Sequence, residues 1–241
     1  MKTVVQSSQI FLVEADGTKL GSLMPPMKGV VDTHPTWAPD GQSIVFTSDR
    51  DGNFELYLYT LSSDHVIQLT DTKPGVENLE PTWSPNGKWI AFTRQGVAAT
   101  VTPASLYILK VGNGAIYKLT PPTLMGRGDH DAAWSPDSKR IAFTSDRLGS
   151  SLIRSNDLFV VNVDGSRLTR VTTLAGNEVH PTFSPYGDQL AFIGNQTGAT
   201  EVYSFTLPAT TSAVPPPTSK IQQITFDRAY KSNPTCTHGR T

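Results

Sequence analysis

The stretch from His34 to Asp71 returns in recognisable copies along the chain, and this repetition limits the possible folds more than any other feature. His34 to Trp37 reads as a first strand. Ala38-Pro39-Asp40-Gly41 turns it, because proline at the second turn position pre-sets φ and glycine suits the exit. Ser43 to Thr47 follows as a second strand, and the polar, glycine-bearing Ser48 to Asn53 reads as a loop. Glu55 to Tyr59 crowds aromatic and aliphatic residues into a third strand. Ser62-Ser63-Asp64 turns again, and Val66 to Thr70 is a fourth strand. Apolar residues alternate at period two with no competing helical period, so each unit is predicted to be all-β.

Glu80-Pro81-Thr82-Trp83-Ser84-Pro85-Asn86-Gly87 opens a second copy, Asp131 to Ser138 a third and His180 to Gly187 a fourth. Strand two recurs at Trp89 to Phe92, Ile141 to Phe143 and Leu190 to Phe192. Strand three recurs at Leu106 to Leu109, Leu158 to Val161 and Val202 to Phe205, and strand four at Ile116 to Thr120, Leu168 to Thr172 and Ile221 to Thr225. The anchors Trp37, Trp83, Trp134, Phe183 and Cys236 stand 46, 51, 49 and 53 residues apart. A period of roughly 40 to 50 with four strands per unit marks propeller blades.

The chain ends extend the pattern. Gln9 to Val13 matches strand three, Ala15-Asp16-Gly17 matches the turn Val163-Asp164-Gly165, Lys19 to Met24 matches strand four, and Thr3-Val4-Val5 fits a shortened strand two. Asn233-Pro234-Thr235-Cys236 mirrors the opening phrase of the other copies. The expectation is an all-β chain: a β-propeller of four-stranded antiparallel blades, five in number, forming a single domain over 1–241. Its blades span about 34–71, 80–120, 131–173 and 180–226, with a closing blade built from both chain ends, 2–24 plus 233–236. An open ring would leave sheet edges and apolar faces exposed.

The phrases Pro81-Thr82-Trp83-Ser84-Pro85-Asn86-Gly87 and Ile141-Ala142-Phe143-Thr144-Ser145-Asp146-Arg147, with their Leu-Tyr, Asp-Gly and Leu-Thr markers, resemble the repeats of TolB-type propellers, bacterial relatives of WD-repeat proteins. Similar blades occur in propellers attached to prolyl-oligopeptidase-type peptidases. The resemblance implies a periplasmic protein that binds a protein partner. Members of that family usually have six blades and a further N-terminal domain, whereas five blades are counted here. Met1 to Ser8 lacks the apolar run of roughly 7 to 15 residues that a secretory signal needs.

A formal net charge of −1 with scattered Lys and Arg leaves no electrostatic footprint for nucleic acid. No segment approaches the ~18 apolar residues of a membrane span. The single cysteine, Cys236, permits no internal disulfide. The connections at Arg94 to Ala104, Ser145 to Asn156 and Pro121 to His130 are long, and in an up-and-down blade all three emerge on one face. Loops on a rigid scaffold are where binding usually sits. Within the last, Arg127-Gly128-Asp129 matches an integrin-binding tripeptide only by its three residues. Pro208 to Ser219, around Pro215-Pro216-Pro217, is an extended insertion on the opposite face.

Catalytic patterns are sparse. The chain has no Gly-x-Ser-x-Gly elbow, phosphate-binding glycine loop, His-Glu-x-x-His or paired-cysteine zinc pattern. Asp49 to Asn53 has the acidic alternation of a calcium loop but a misplaced Gly52, and it reads as a turn. Asn195-Gln196-Thr197 is a formal glycosylation sequon. One constellation remains: the residue three before each anchor, at the start of the innermost strand, is polar in every blade. These residues are His34, Glu80, Asp131, His180 and Asn233, with His130 beside them. They either line a wet channel or bind peptide amides and cationic groups through imidazole and carboxylate. The sequence therefore favours a non-catalytic binding module for a protein or peptide at the funnel face, with no cofactor and no metal. The alternative is a hydrolase or lyase in which Glu80 and Asp131 act as acid and base.

Overall fold

In the computed structural model the described residues are 7–97, 102–123, 126–148, 155–207, 221–227, 229, 231 and 234. Thr3-Val4-Val5, Pro208 to Ser219, Asn233 and Cys236 lie outside the described residues. The first elements are a hairpin of β1 (Phe11–Val13) and β2 (Lys19–Ser22). Four antiparallel sheets follow, each with its strands adjacent in sequence order. The first sheet is β3 (Asp32–Trp37), β4 (Ser43–Ser48), β5 (Glu55–Thr60) and β6 (His65–Gln68). The second is β7 (Val76–Trp83), β8 (Trp89–Gly96), β9 (Ser105–Lys110) and β10 (Ile116–Lys118). The third is β11 (Asp129–Trp134), β12 (Arg140–Ser145), β13 (Asp157–Asn162) and β14 (Thr169–Arg170). The fourth is β15 (Glu178–Phe183), β16 (Gln189–Gly194), β17 (Glu201–Thr206) and β18 (Gln222–Gln223). The architecture is the all-β propeller that the repeat predicts.

Second strands are apolar on both faces because both faces are covered. Phe46, Phe92, Phe143 and Phe192 occupy one repeated position and are fully buried. Each stacks on the aromatic residue opposite it in strand three, Tyr57, Tyr107, Phe159 and Tyr203, with ring centroids 5.9, 5.8, 5.7 and 5.6 Å apart. Such pairs contribute beyond their buried area. The cores lie between successive sheets. Val45 and Leu56 meet Ile90 and Phe92, Ala91 and Leu106 meet Trp134 and Phe143, and Ala142 and Leu158 meet Phe183 and Phe192. First strands pack on one another in turn, β3 on β7, β7 on β11 and β11 on β15.

One backbone bond marks every seam. A residue at or near the start of each first strand donates its N–H to the carbonyl just ahead of strand three in the preceding unit: Asn78 to Phe54 at 2.8 Å, Asp129 to Ala104 at 3.1 Å and Glu178 to Asn156 at 2.9 Å. Asp32 makes the same bond to Ser8 at 3.1 Å. Ile10 and Leu23 of the hairpin then pack on Ile44, Phe46 and Tyr57. The N-terminal hairpin therefore docks on the first sheet. Gly128 lies in one of these seams with φ of +91°, where a Cβ would come within 2.2 Å of the Ala104 carbonyl oxygen. Glycine is needed there for the backbones to approach. Arg127-Gly128-Asp129 thus runs into a seam, with Asp129 fully buried, and is not a displayed loop tip.

The second sheet departs from expectation in extent. β7 begins at Val76 and β8 continues to Gly96, pairing Asn78 with Arg94 and Glu77 with Gln95. The cross-strand bond from Gln95 Nε2 to Glu77 Oε2 at 3.2 Å sustains strand where composition alone reads loop. In the calcium-like Asp49 to Asn53, Asp49 accepts from Val31 N at 2.7 Å and Asp51 from the Tyr57 hydroxyl at 2.6 Å, so those oxygens are spent on structure.

The anchor aromatics fill the seams. Trp134 and Phe183 are buried against the preceding sheet, and Trp134 Nε1 donates to the Thr82 carbonyl at 3.1 Å. Trp37, at the corresponding position of the first sheet, is half exposed. Trp134→Ala is expected to lower stability by about 3 to 5 kcal/mol in urea denaturation. A loss under about 0.5 kcal/mol would place the indole outside a closed seam.

Candidate functional site

In each first strand the ladder slips by a residue, between Thr33 and Thr36, Leu79 and Thr82, His130 and Ala133, and Val179 and Thr182. The first residue inside each slip has positive φ: 49° at His34, 54° at Glu80, 55° at Asp131 and 52° at His180. Left-handed backbone costs a non-glycine residue roughly 1 to 2 kcal/mol, and bulges re-aim side chains. Proline follows at Pro35, Pro81 and Pro181 and has no N–H to lose from the ladder. His34, Glu80, Asp131 and His180 therefore sit at bulges within the first strands and not at the strand starts. The strands begin earlier because the residue two before each bulge is held in the seam.

Four of the predicted residues come together across three sheets. Glu80 Oε2 accepts from Thr93 Oγ1 at 3.1 Å and from the Asp131 backbone N–H at 3.3 Å, and it lies 3.9 Å from His130 Nδ1. Asp131 Oδ1 lies 3.2 Å from His180 Nδ1. The other nitrogen of His130 is 3.1 Å from the Arg127 carbonyl. Carboxylate and imidazole thus alternate from the second sheet to the fourth. His34 does not join them: it is exposed, with Thr33 Oγ1 3.3 Å from its Nδ1. Asn233 lies outside the described residues.

The electrostatics favour a charged pair. The Asp131 hydrogen bond raises the His180 pKa above 6.5, burial opposes it, and the charges of Asp131 and Glu80 reinforce it. For Asp131, burial pushes upward, but the hydrogen bond and charge of His180, with His130 nearby, leave the carboxyl below its ordinary value. Asp131 is accordingly held as an anion and is poorly suited to donate a proton. Among the described residues, no three His, Cys, Asp or Glu side chains group so as to hold a metal ion. What the arrangement can do is accept N–H groups and cations at the two carboxylates.

A second polar layer, missed in the sequence, lies in the seams behind this site. Glu55 accepts from Asn78 Nδ2 at 2.6 Å and from Thr72 N at 2.7 Å. Asp129 accepts from Thr120 and Ser145 at 2.6 Å each and pairs with Arg147. Asp157 pairs with Arg170. The signal was present, since the residue two before each bulge is Asp32, Asn78, Asp129 or Glu178, always polar with a carboxyl or amide. In the last seam, burial and the neighbouring charge of Asp157 push the Glu178 carboxyl up to about 8.

Known proteins share the repeat and the fold. Residues 2–102 match the family described as the TolB beta propeller domain. Over 179 residues the chain is 34% identical to the Tol-Pal system protein TolB of Bordetella pertussis. That alignment takes in 74% of this chain and 37% of the relative, so the chain spans little more than a third of the relative's length. The fold is similar to that of TolB from Acinetobacter baumannii, with a TM-score of 0.66 at 22% identity over 82% of this chain and 46% of that one. It is also similar to a putative TolB from Agrobacterium tumefaciens, with a TM-score of 0.63 at 22% identity over 82% and 69%. At that identity the two structures bear on fold alone.

Two titrations check the electrostatics. By NMR, the His180 imidazole should titrate above 6.5 and fall toward that value in Asp131→Asn; an unchanged midpoint would break the pair. For Glu178, the unfolded chain releases the proton near 4.5 and the folded chain only near 8, so stability falls as pH rises through that window. Glu178→Gln should therefore gain melting temperature over the unaltered protein progressively from pH 5 to pH 8. A difference that stays flat with pH would contradict the buried neutral carboxyl.

Proposed function

We propose, from the premise that the chain is a TolB-like β-propeller, that it is a non-catalytic binding module taking a protein or peptide partner at the funnel face. The observation that carries this reading is the chain of Glu80, His130, Asp131 and His180, joined across three sheets at strained bulges. Strain kept at equivalent positions in all four sheets is expected where a side chain must be presented at a fixed place. The carboxylates would accept backbone N–H groups or a cationic side chain of the partner. Histidine protonation would change the affinity between roughly pH 5 and 8.

In this proposal the ring has five blades, closed by 2–24 and 233–236, with Asn233 completing the polar set. The half-exposed Trp37 and the docked hairpin support that closure, because each is what an unfinished blade leaves behind. A periplasmic setting and a protein partner are in keeping with the relationship to a Tol-Pal system protein. The acid–base alternative is less favoured, since Asp131 is stabilised as an anion and Glu80 is engaged by Thr93 and the Asp131 amide.

The test compares folded double variants, Glu80→Ala with Asp131→Ala and His34→Ala with His180→Ala, for retention of the partner captured by the intact chain, with a thermal melt as control. Loss of capture in the first pair, and a flattened pH dependence in the second, are expected. Unaltered capture by both would move the binding surface away from the polar bulges.

A further inference from the structure

Blades one to three share a device in which an arginine lies over the aromatic pair at the loop end of the sheet. Arg50 sits 5.1 Å above Phe46 and 4.8 Å above Tyr57, Arg147 5.6 Å above Phe143 and 5.4 Å above Phe159, and Arg94 5.5 Å above Phe92 and 4.5 Å above Tyr107. In the first and third sheets the charge is neutralised within the protein, by Asp32 and Asp129. In the second sheet the corresponding position is Asn78, whose Oδ1 accepts from Arg94 Nε at 2.7 Å while its amide nitrogen donates to Glu55. Asn78 fixes the guanidinium but supplies no charge. Lys118 approaches the same platform, its Nζ 5.8 Å from the Tyr107 ring centroid. Among the described residues, neither cation has a carboxylate within ion-pair distance.

Between them is a cleft of about 350 Å³, lined by Arg94 and Lys118, by Tyr107, by Ser105 and by Pro103 and Thr123 from the long connections. The Thr123 hydroxyl is buried without a partner among the described residues. Glu77, the acid closest in sequence on β7, is engaged by Gln95 at 3.2 Å. Two cations on an aromatic floor, with hydroxyls in the walls, form a receptor for an anion, since guanidinium and ammonium donate charge-assisted hydrogen bonds to carboxylate oxygens.

We propose that this cleft on the second blade is a second binding site, separate from the polar bulges, that takes a carboxylate carried by a peptide. The nature of the ligand rests on the peptide-binding reading above; the cleft itself does not. An acidic side chain and a free C-terminus offer the same group, and the experiment separates them.

The full chain is titrated by two-dimensional NMR with the capped peptide acetyl-Ala-Ala-Glu-Ala-Ala-amide, its Gln counterpart, the Gln peptide with a free C-terminus, and inorganic phosphate. Saturable shifts at Gln95 and Ser105 are expected with the Glu peptide, the free-acid peptide or both, with at least tenfold weaker binding of the capped Gln peptide. Lys118→Gln and Arg94→Gln should each weaken the carboxylate peptides at least fivefold. The Lys118 side chain makes no hydrogen bond among the described residues, and the variant leaves the backbone ladder of β10 in place, so it stays informative even if Arg94→Gln unfolds. Glu80→Gln with Asp131→Asn should bind these peptides as the unaltered protein does. Failure of the bulge site is thus read from that variant's partner capture, and failure of the cleft from the peptides. The proposal is overturned by equal binding of the capped Gln peptide, by unaltered affinity in Lys118→Gln, or by phosphate binding without carboxylate binding.

Discussion

The structure depends on the seam between successive sheets. A blade in which both faces of the second strand are apolar cannot bury Phe46, Phe92, Phe143 or Phe192 alone, so each sheet is completed only by its neighbour. The repeated N–H to carbonyl bond at the head of each first strand fixes how neighbours meet. Behind it, each seam buries a polar set, a different one each time: Glu55 with Asn78, Asp129 with Arg147, and Asp157 with Arg170 beside Glu178, whose carboxyl has no hydrogen-bond partner among the described residues. Unpartnered buried polar groups are costly, so these sets constrain pairing as strictly as the apolar core does.

The seam also explains the site. Because the first strand is held at its head by the neighbour and in its body by its own second strand, the ladder has a residue to spare, and the bulge at His34, Glu80, Asp131 and His180 absorbs it. At Glu80 and Asp131 the side chain then reaches toward the next sheet. Asp131 meets His180 and Glu80 meets His130 because the first strands lie side by side, β7 against β11 and β11 against β15. The cleft at Arg94 has the same origin, since replacing the seam carboxylate by Asn78 leaves the arginine in place without its counter-charge.

Much of this was legible in the sequence. The anchors and strand phrases specify the sheets and their order, because alternation at period two and turn chemistry act locally. The hairpin of β1 and β2 was legible from the likeness of its turn, Ala15-Asp16-Gly17, to Val163-Asp164-Gly165. Glu80, Asp131 and His180 were legible as a set from their fixed offset to the anchors, with His130 one residue earlier in the third copy. Their left-handed backbone was not, because Glu80 carries no local preference for positive φ and the bulge arises from pairing on both sides. The extension of β7 and β8 was obscured by the polar Glu77, Asn78, Arg94 and Gln95, which pair across the strands instead of marking a loop. The seam carboxylates varied among Asp, Asn and Glu, and their burial depends on a neighbour distant in sequence.

The central claim is that the bulges place charged groups of neighbouring sheets in direct partnership. The most direct test is a double-mutant cycle on Asp131→Asn and His180→Gln by urea denaturation at pH 6 and pH 9. A coupling free energy of about 1 kcal/mol or more at pH 6, shrinking at pH 9 as the imidazole loses its proton, is the expected result. Additive effects at both pH values would contradict the partnership and the account built on it.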